Sequence, residues 1–402
     1  MLADPPLPPA TQPPVPLDDA QSAVLRRRES RRLIHGAAGS GKSVVLATLA
    51  AQALRRGERV LLVCYNIALV RHLRGMVARQ LGDEGPARVD LTVLWFHEWA
   101  QWLYEPRHWD GWHKSHPKNW PNEEAPGELA ELLEAIPPAD EERFDLILAD
   151  EGQDLRLTWL DMLGSTLQEG GRLVVTADTT QGTGGSGLTR GEAERAGWPV
   201  VTLPGSHRVH PQLRPVRYEV AQRLGLQREV LLPEQIELPF GQLRTYWIRG
   251  DASVLRQLRS QLGPLTAGAA VRPGGVAILF ENKDAGEVFL RQHGEALGRI
   301  EHVFAEEGDR MSREHREKER RSRMLFGGQA EVTRVSTIDS IKGNEARVVV
   351  LVLDSADASR LYVGLTRVAQ SLLVATLVVV ARQSQAQVLR SRPFSERTLS
   401  GT

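Results

Sequence analysis

A glycine-rich stretch near the N-terminus has residue types and spacing that suit phosphate binding. Glycines let backbone N–H groups turn inward on a phosphate, and the N-terminus of a following helix adds positive potential. The stretch fits G-x-x-x-x-G-K-[ST], in which Lys42 is expected to reach the β and γ phosphates and Ser43 to bind Mg²⁺. The alternative is a glycine turn that only caps a helix, but a short apolar strand before the loop favours nucleotide binding. The predicted phosphate-binding residues are Gly36, Ala37, Ala38, Gly39, Ser40, Gly41, Lys42 and Ser43.

Two acidic residues supply what such a loop needs for hydrolysis. The apolar run 144–149 leads directly into Asp150 and Glu151. A buried strand would bring both carboxylates to the carboxyl edge of its sheet, beside the phosphate-binding loop. Asp150 is then expected to hold Mg²⁺ through water, and Glu151 to orient and deprotonate the attacking water. The alternative, a solvated acidic loop at a strand end, is disfavoured by the apolar run directly before the pair.

The elements that must position these residues form an alternation of short apolar runs and helical segments. Continuous apolar runs separated by helices indicate a parallel sheet covered on both faces. In the first half we predict strands at 33–35, 60–65, 145–149 and 172–176, with helices at 43–55 and 68–81. The alternation restarts with strands at 275–280, 332–337, 348–353 and 372–378, and with helices at 283–297 and 361–368. The predicted fold class is therefore α/β, with a parallel sheet in each of two domains.

Composition limits the possible classes of protein. The chain has 402 residues, enough for two domains of ordinary size. Its 50 basic and 50 acidic residues balance, so global charge argues neither for nor against nucleic acid. No run reaches the roughly 18 apolar residues of a membrane span, and the Pro-rich N-terminus lacks the pattern of a secretory signal. The single cysteine, Cys64, lies in an apolar run, so we expect a buried thiol, a reducing compartment and a cytoplasmic location.

The chain divides at changes in composition. We predict a disordered Pro-rich segment at 1–16, a first domain at 17–204, a second domain at 205–381 and a flexible tail at 382–402. Two stretches interrupt the sheet pattern and are interpreted as insertions. One is tryptophan-rich and covers about 95–143, and the other is a charged helical run at about 306–325.

The tryptophan-rich insertion has three interpretations. It could be a small aromatic core that joins the insertion to the first domain, or a platform on which bases stack. A metal site is the third, but no cysteine or carboxylate completes a ligand set of good spacing. The residues concerned are Trp95, Trp99, Trp102, Trp109, Trp112 and Trp120, with His97, His108, His113 and His116.

The ordered series of motifs over 17–380 resembles superfamily 1 helicases of the UvrD/PcrA/Rep kind. In the first domain, Leu17-Asp-Asp-Ala-Gln21 resembles the family's glutamine motif, which implies that Gln21 contacts adenine. Asp150-Glu-Gly-Gln-Asp154 is close to the family's D-E-x-Q-D, and Ala177-Asp-Thr-Thr-Gln181 resembles the motif in which Gln181 would sense the γ-phosphate. Two further motifs imply contacts with nucleic acid by Tyr65, Asn66, Thr92 and His97.

The second domain continues the resemblance. Leu203-Pro-Gly-Ser-His207-Arg208 resembles L-x-x-N-Y-R, and Leu361-Tyr-Val-Gly-Leu-Thr-Arg367 is close to L-Y-V-A-x-T-R. The resemblance implies that Arg208 and Arg367 contact the γ-phosphate as arginine fingers. The motif at 335–345 resembles T-x-H-x-x-K-G-x-E, which implies a ribose contact for Glu345. The nucleic-acid residues implied by the same motif are Thr337, Asp339 and Lys342.

The resemblance implies two RecA-like P-loop NTPase domains and an ATP-driven translocase or helicase that uses Mg²⁺. Its partner would be single-stranded nucleic acid, DNA rather than RNA, tracked 3′ to 5′ as in type 1A enzymes. One alternative is an ATPase switch subunit that signals within a larger defence or repair complex, with a protein partner and without unwinding. A binding module with an inactive site is a further alternative, disfavoured because every expected catalytic residue type is present.

Departures from the family pattern affect the grip on nucleic acid. His207 replaces a tyrosine that stacks on adenine, and Asp339 replaces a histidine in the motif that faces nucleic acid. The segment 182–187 is Gly-Thr-Gly-Gly-Ser-Gly, where the family carries aromatics that stack on bases. Since stacking contributes about 1–3 kcal/mol per base, we expect a weaker hold on the strand. The charged run 306–325 is too short for the family's second inserted domain, so that domain is expected to be absent.

Overall fold

A computed structural model describes the positions of residues 7–8, 13–82, 90–107, 125–178, 187–204, 219, 222, 242–249, 276–294, 300–304, 332–341, 346, 348–353, 364, 374–381 and 395–397. The chain divides into two compact units. The first is built from Met1–Gly36 and Gly41–Pro204, and the second mainly from Gly205–Thr402. Each unit contains one sheet in the described part of the chain.

The sheet of the first unit has six parallel strands in the order β3-β2-β4-β5-β1-β6. The strands are β1 Arg31–Gly36, β2 Val60–Cys64, β3 Leu91–Trp95, β4 Phe144–Asp150, β5 Leu167–Ala177 and β6 Val200–Leu203. Neighbouring residues of a strand face opposite sides of the sheet, so both sides of this apolar sheet must be covered. Leu61 and Val63 enter one hydrophobic core, whereas Leu62 and Cys64 enter the other.

Helices cover both faces of this sheet. In the described part of the first unit they are α1 Asp19–Leu25, α2 Lys42–Arg55, α3 Leu69–Leu81, α4 Phe96–Tyr104, α5 Ala125–Ala135, α6 Leu157–Ser165 and α7 Arg190–Arg195. α2 and α3 pack together on one face, while α4, α5 and α6 contribute buried residues to the core on the other face. Strands β4, β5 and β1 are neighbours in this parallel sheet, so their carboxyl ends lie side by side at one edge. Open α/β sheets bind ligands at that edge.

The start of the predicted tryptophan-rich insertion belongs to the core of the first unit. Trp95 ends β3, which pairs with β2, and Trp99 on α4 is fully buried. The predicted insertion at about 95–143 lies between the end of β3 and the start of β4, and its first helix, α4, packs into the hydrophobic core of the unit. Trp102 also packs against that core, which favours the aromatic-core interpretation for these three residues. The other members, Trp109, Trp112, Trp120, His108, His113 and His116, lie outside the described residues.

The N-terminal segment differs from the predicted disordered lead-in at its end. Val15 is fixed by Gln80 of α3, whose Oε1 accepts from the Val15 N–H at 2.9 Å and whose Nε2 donates to the Val15 carbonyl at 3.3 Å. Arg79 also donates to the carbonyl of Pro13 at 2.5 Å. Proline lacks an N–H group, so Pro13 can only accept a hydrogen bond through its carbonyl. The Gln80 amide both accepts from and donates to the backbone of Val15, as a paired strand would.

The second unit contains a sheet of seven parallel strands in the order β13-β7-β12-β11-β8-β10-β9. The strands are β7 Gln242–Arg249, β8 Val276–Phe280, β9 Ile300–His302, β10 Thr333–Thr337, β11 Val348–Leu353, β12 Val374–Ala381 and β13 Ser395–Arg397, with helix α8 at Lys283–His293. β13 pairs with β7, so this part of the predicted flexible tail is an edge strand instead. The helix predicted at 361–368 and the charged run 306–325 lie largely or wholly outside the described residues.

The predicted α/β class with parallel sheets is confirmed in both units. Continuous apolar runs in the sequence predict the positions of these strands well, because a strand buried on both faces needs apolar residues at every position. Cys64 is buried, as its apolar surroundings predict, and burial raises the pKa of its thiol. Among the described residues, no helix is long and apolar enough to cross a bilayer.

Candidate functional site

The glycine-rich loop lies between β1 and α2. β1 ends at Gly36, and Gly41 caps α2 with φ 85°, a left-handed conformation that glycine adopts without strain. Lys42 begins the helix and is only 8% exposed. Its Nζ donates to the Gly36 carbonyl at 2.7 Å and lies 3.9 Å from a carboxylate oxygen of Asp178. The lysine side chain therefore folds back over the loop that its backbone helps to form.

Asp150 meets the loop from the end of β4. It is 2% exposed, and its Oδ2 accepts from the Ser43 hydroxyl at 2.7 Å. Its Oδ1 accepts from the hydroxyl of Thr176 at 2.5 Å and from the Glu151 N–H at 3.0 Å. Burial, and then the charge of Glu151, raises the pKa of the Asp150 carboxyl, while its hydrogen bonds and Lys42 oppose the shift. A cation at this carboxylate would offset that cost of burial.

Glu151 has an unusual backbone. Its φ of 57° and ψ of 44° place it in the left-handed region, and it is the only non-glycine residue with positive φ among the described residues. For a residue with a Cβ this conformation costs about 1–2 kcal/mol. Strain of this kind collects at functional sites, where the surrounding structure holds it. The conformation turns the chain from β4 into the short 3₁₀ helix Gly152–Asp154.

Gln21 packs over the end of the loop. A Cβ placed on Gly41 would lie 2.2 Å from Nε2 of Gln21 and would push this side chain aside, and the left-handed φ of 85° also favours glycine there. The Oε1 of Gln21 accepts from the Asp18 N–H at 3.1 Å, and Asp18 accepts from the Gln21 N–H at 2.7 Å. This capping box at the start of α1 holds the Gln21 side chain beside the glycine-rich loop.

The donor set at Ser43 and Asp150 suits Mg²⁺. Mg²⁺ prefers oxygen ligands and usually combines one or two protein groups with water and substrate phosphates. The hydroxyl and carboxylate oxygens of these residues are already 2.7 Å apart. No group of three or more His, Cys, Asp or Glu side chains in the described ranges could hold a metal by itself. A bound Mg²⁺ would therefore depend on the phosphates as well as on Ser43 and Asp150.

An aromatic stack reaches the surface at the same edge of the sheet. Tyr65, directly after β2, is 36% exposed and stacks on Trp159 at 6.4 Å between ring centroids. Trp159 in turn stacks on buried Phe96 at 4.5 Å. His97 meets the edges of these rings, at 5.7 Å from Tyr65 and 5.7 Å from Trp159, and the Arg156 guanidinium lies 5.4 Å above the Trp159 ring. Tyr65 is therefore the exposed end of a column of aromatic rings, formed by Tyr65, Trp159 and Phe96.

The other predicted nucleic-acid residues are distributed differently. Asn66 accepts from the Ala68 N–H through its side chain at 3.1 Å and so helps to start α3. Thr92 lies within the edge strand β3, paired with Leu61, whereas Tyr65 follows the end of β2 and His97 lies in the first turn of α4. In the second unit, Thr337 ends β10 and its hydroxyl donates to Ser340 at 2.9 Å, with Asp339 in the same turn. The predicted site residues Gln181, His207, Arg208, Lys342, Glu345 and Arg367 lie outside the described residues.

Three polar residues of this site were not among the predicted site residues. Thr176 and Asp178 come from the end of β5, the strand that lies between β1 and β4. Gln153 follows Glu151 and is 5% exposed. Its Oε1 accepts from the Asp178 N–H at 2.9 Å, and its Nε2 donates to the Glu151 carboxylate. A polar residue directly after an apolar run was the available signal, since such residues collect at the carboxyl edge of a parallel sheet.

Comparison with models of known protein families gives no match for this chain, and none of the curated proteins matches it significantly.

Proposed function

We propose that this protein is an ATP hydrolase related to superfamily 1A helicases, with two RecA-like domains, that translocates on single-stranded nucleic acid. The observation that carries the proposal is the contact between Ser43 and Asp150 at 2.7 Å, across 107 positions of sequence. Folding brings the end of the phosphate-binding loop to the acidic strand end. If the glycine-rich loop only capped a helix and the acidic residues only formed a solvated loop, this contact between them would not be expected.

The proposed chemistry uses each of these groups differently. The loop N–H groups and Lys42 would bind the phosphates of ATP, and Ser43 and Asp150 would hold Mg²⁺. When bound, Mg²⁺ would neutralise charge on the phosphates. Glu151 would accept a proton from the attacking water, and its fixed backbone would aim the carboxylate before substrate arrives. By the resemblance, Gln181, Arg208 and Arg367 would add contacts to the γ-phosphate, with His207 and Glu345 at the nucleoside.

The aromatic column of Tyr65, Trp159 and Phe96 supports binding of nucleic acid. An exposed tyrosine that is backed by buried rings can stack on a base with little loss of side-chain entropy. Tyr65 has that setting, and Arg156 places a cation beside the column. The edge of the sheet that would bind ATP thus also presents an aromatic face. DNA is proposed in preference to RNA by the resemblance alone.

The direct test is the ATPase rate of the purified chain with no nucleic acid, with single-stranded DNA and with single-stranded RNA. The proposal expects hydrolysis that single strands stimulate. Absence of any hydrolysis would contradict the proposal and favour an inactive binding module. If only RNA stimulates hydrolysis, the proposed ATPase activity stands, but the proposed partner becomes RNA instead of DNA.

The second candidate function is an ATPase switch in a larger complex. The glycine-rich segment 182–187 favours it, because this segment carries no aromatic residue to stack on a tracked strand. A switch would hydrolyse ATP and respond to a protein partner without moving along nucleic acid. Displacement of a protein bound to one end of a single strand, but not of a protein bound to the other end, would separate directional movement from switching.

The proposed arginine fingers give one prediction. We expect Arg208→Ala and Arg367→Ala each to lower ATP turnover by roughly 10³-fold or more, because their charge would stabilise the transition state and not the bound substrate. Their affinity for a non-hydrolysable ATP analogue should change much less. Turnover is measured by steady-state kinetics, and affinity by calorimetry. Arg190→Ala, which removes an exposed ion pair with Glu194 on α7, is the control. Near-normal turnover in both finger variants would contradict these roles.

Unwinding gives a second prediction. We expect the purified chain to hydrolyse ATP but to unwind poorly, since segment 182–187 lacks stacking residues and the run 306–325 is too short for a second inserted domain. Affinity for single strands should come mainly from phosphate contacts and fall steeply as salt rises. Strand displacement on a 3′-tailed duplex of about two helical turns, read beside ATPase rates in one buffer, measures this. Processive unwinding by the chain alone would refute the prediction.

A further inference from the structure

Gln153 has no role in the proposed chemistry above, yet its side chain connects two parts of the site. Its Oε1 accepts from the Asp178 N–H at 2.9 Å, and its Nε2 donates to the Glu151 carboxylate. The residue is 5% exposed, so water does not compete freely for these bonds. One amide therefore joins the proposed base to the end of β5.

Chemistry dictates the orientation of this amide. A backbone N–H can only donate, so the group that faces Asp178 must be the carbonyl oxygen of Gln153. The NH₂ group is then directed at Glu151, whose carboxylate accepts. Rotating the amide by half a turn would set two donors against each other at Asp178 and two acceptors against each other at Glu151. The contact with Asp178 thus determines which atom Gln153 presents to the base.

The turn that carries Gln153 is itself held by backbone contacts. The Leu188 N–H donates to the carbonyls of Gly152 at 3.1 Å and Leu155 at 2.8 Å. A Cβ on Gly187 would lie 1.7 Å from the Gln153 carbonyl oxygen, and one on Gly152 would lie 2.5 Å from Val175. These close approaches leave the turn little freedom to shift. Gln153 therefore acts from a turn that is held in place, and its amide reaches the Glu151 carboxylate from there.

We propose that Gln153 is the positioning residue for Glu151 in the proposed hydrolysis of ATP, and the inference rests on that function. The amide, anchored on the Asp178 backbone, holds the carboxylate of Glu151 in one place. Asp178 also lies 3.9 Å from Nζ of Lys42 through its side chain. The base and the phosphate-binding lysine are thereby linked through two residues that need not touch substrate.

A positioning role predicts a particular kinetic effect. Gln153 contacts neither the loop N–H groups nor Ser43 in the described structure, so its loss should leave ATP affinity nearly unchanged. A misplaced base slows the chemical step, and a shift of about 1 Å can lower a rate by about 10²-fold. We therefore expect changes at Gln153 to act on kcat and not on the dissociation constant for nucleotide.

The test compares Gln153→Glu with Gln153→Met. Glutamate keeps an oxygen to accept from the Asp178 N–H but has no N–H to donate to Glu151, and methionine of similar volume loses both contacts. We expect both variants to lower kcat by about 10–100-fold. Their dissociation constants for a non-hydrolysable ATP analogue, measured by calorimetry, should stay within about threefold of the wild type.

Gln80→Glu is the matched control. Gln80 is also a buried amide that both accepts and donates, toward Val15 and Thr48, and it is 7% exposed. Putting a buried carboxyl group there should leave kcat unchanged. A purely structural role for Gln153 would instead make Gln153→Glu nearly normal and only Gln153→Met slow, and that result would overturn the proposal.

Two further outcomes decide the matter. Normal kcat in both Gln153 variants, beside a wild type that hydrolyses ATP, overturns the positioning role while leaving the proposed function intact. A wild type without ATPase activity refutes the proposed function itself. Should Gln153→Glu fail to bind nucleotide, Gln153→Met carries the test, because it adds no charge: a loss of kcat at unchanged affinity supports the role, and normal kcat refutes it.

Discussion

Replacing Lys42 with alanine is expected to abolish ATP turnover, with kcat at least roughly 10³-fold below the wild type. The ammonium group is nearly buried and lies within the loop, 2.7 Å from the Gly36 carbonyl, so it is already placed where phosphates would bind. Charge in such a site stabilises the developing negative charge of the transferred phosphoryl group more strongly than charge in water does. Turnover is measured by release of inorganic phosphate over a range of ATP concentrations.

Two companion variants separate chemistry from folding. Lys42→Ala also removes a cation from beside buried Asp178, so its melting temperature is measured in parallel. Lys42→Arg keeps the charge, but a planar guanidinium cannot take the place of a compact ammonium in this loop, and turnover should still be lost. Lys283→Ala, at the start of α8 in the second unit, controls for loss of a lysine and should be fully active. Normal turnover in a folded Lys42→Ala protein would disprove the assignment of the loop.

Glu151→Gln is expected to bind ATP like the wild type and to lose hydrolysis by about 10²–10⁴-fold, the usual contribution of a general base. The amide has nearly the same shape as the carboxylate but cannot accept the proton of the attacking water. Because Glu151 is not one of the loop residues, the dissociation constant for a non-hydrolysable ATP analogue should be retained. Single-turnover hydrolysis together with calorimetry distinguishes the two effects.

The control for this change is Glu194→Gln, which removes an exposed carboxylate that pairs with Arg190 on α7. It should leave both hydrolysis and binding unaltered. Since glutamine at position 151 must also adopt φ 57°, the melting temperature reports whether the turn survives. Full turnover in a stable Glu151→Gln protein would remove this residue as the base and leave the role to another group at the end of β4 or β5.

Much of this site could be predicted from the sequence because its signals are local. The spacing of Gly36, Gly41 and Lys42 predicts a loop whose backbone could wrap a phosphate, and that geometry needs only neighbouring residues. The apolar run before Asp150 predicts a buried strand, and the chain direction of a strand determines that its last residues reach the carboxyl edge. The parallel α/β class follows from the same apolar runs, because only strands covered on both faces need them.

The tertiary structure decided which polar residues act together. Thr176, Asp178 and Gln153 join the site because β5 lies between β1 and β4, and strand order depends on contacts between residues far apart in sequence. The left-handed backbone of Glu151 has no sequence signal, since glutamate favours other conformations and only the surrounding packing holds it there. The packing of α4 into the core and of Val15 against Gln80 has the same cause. The sequences of these segments are compatible with several environments, and long-range packing selects one.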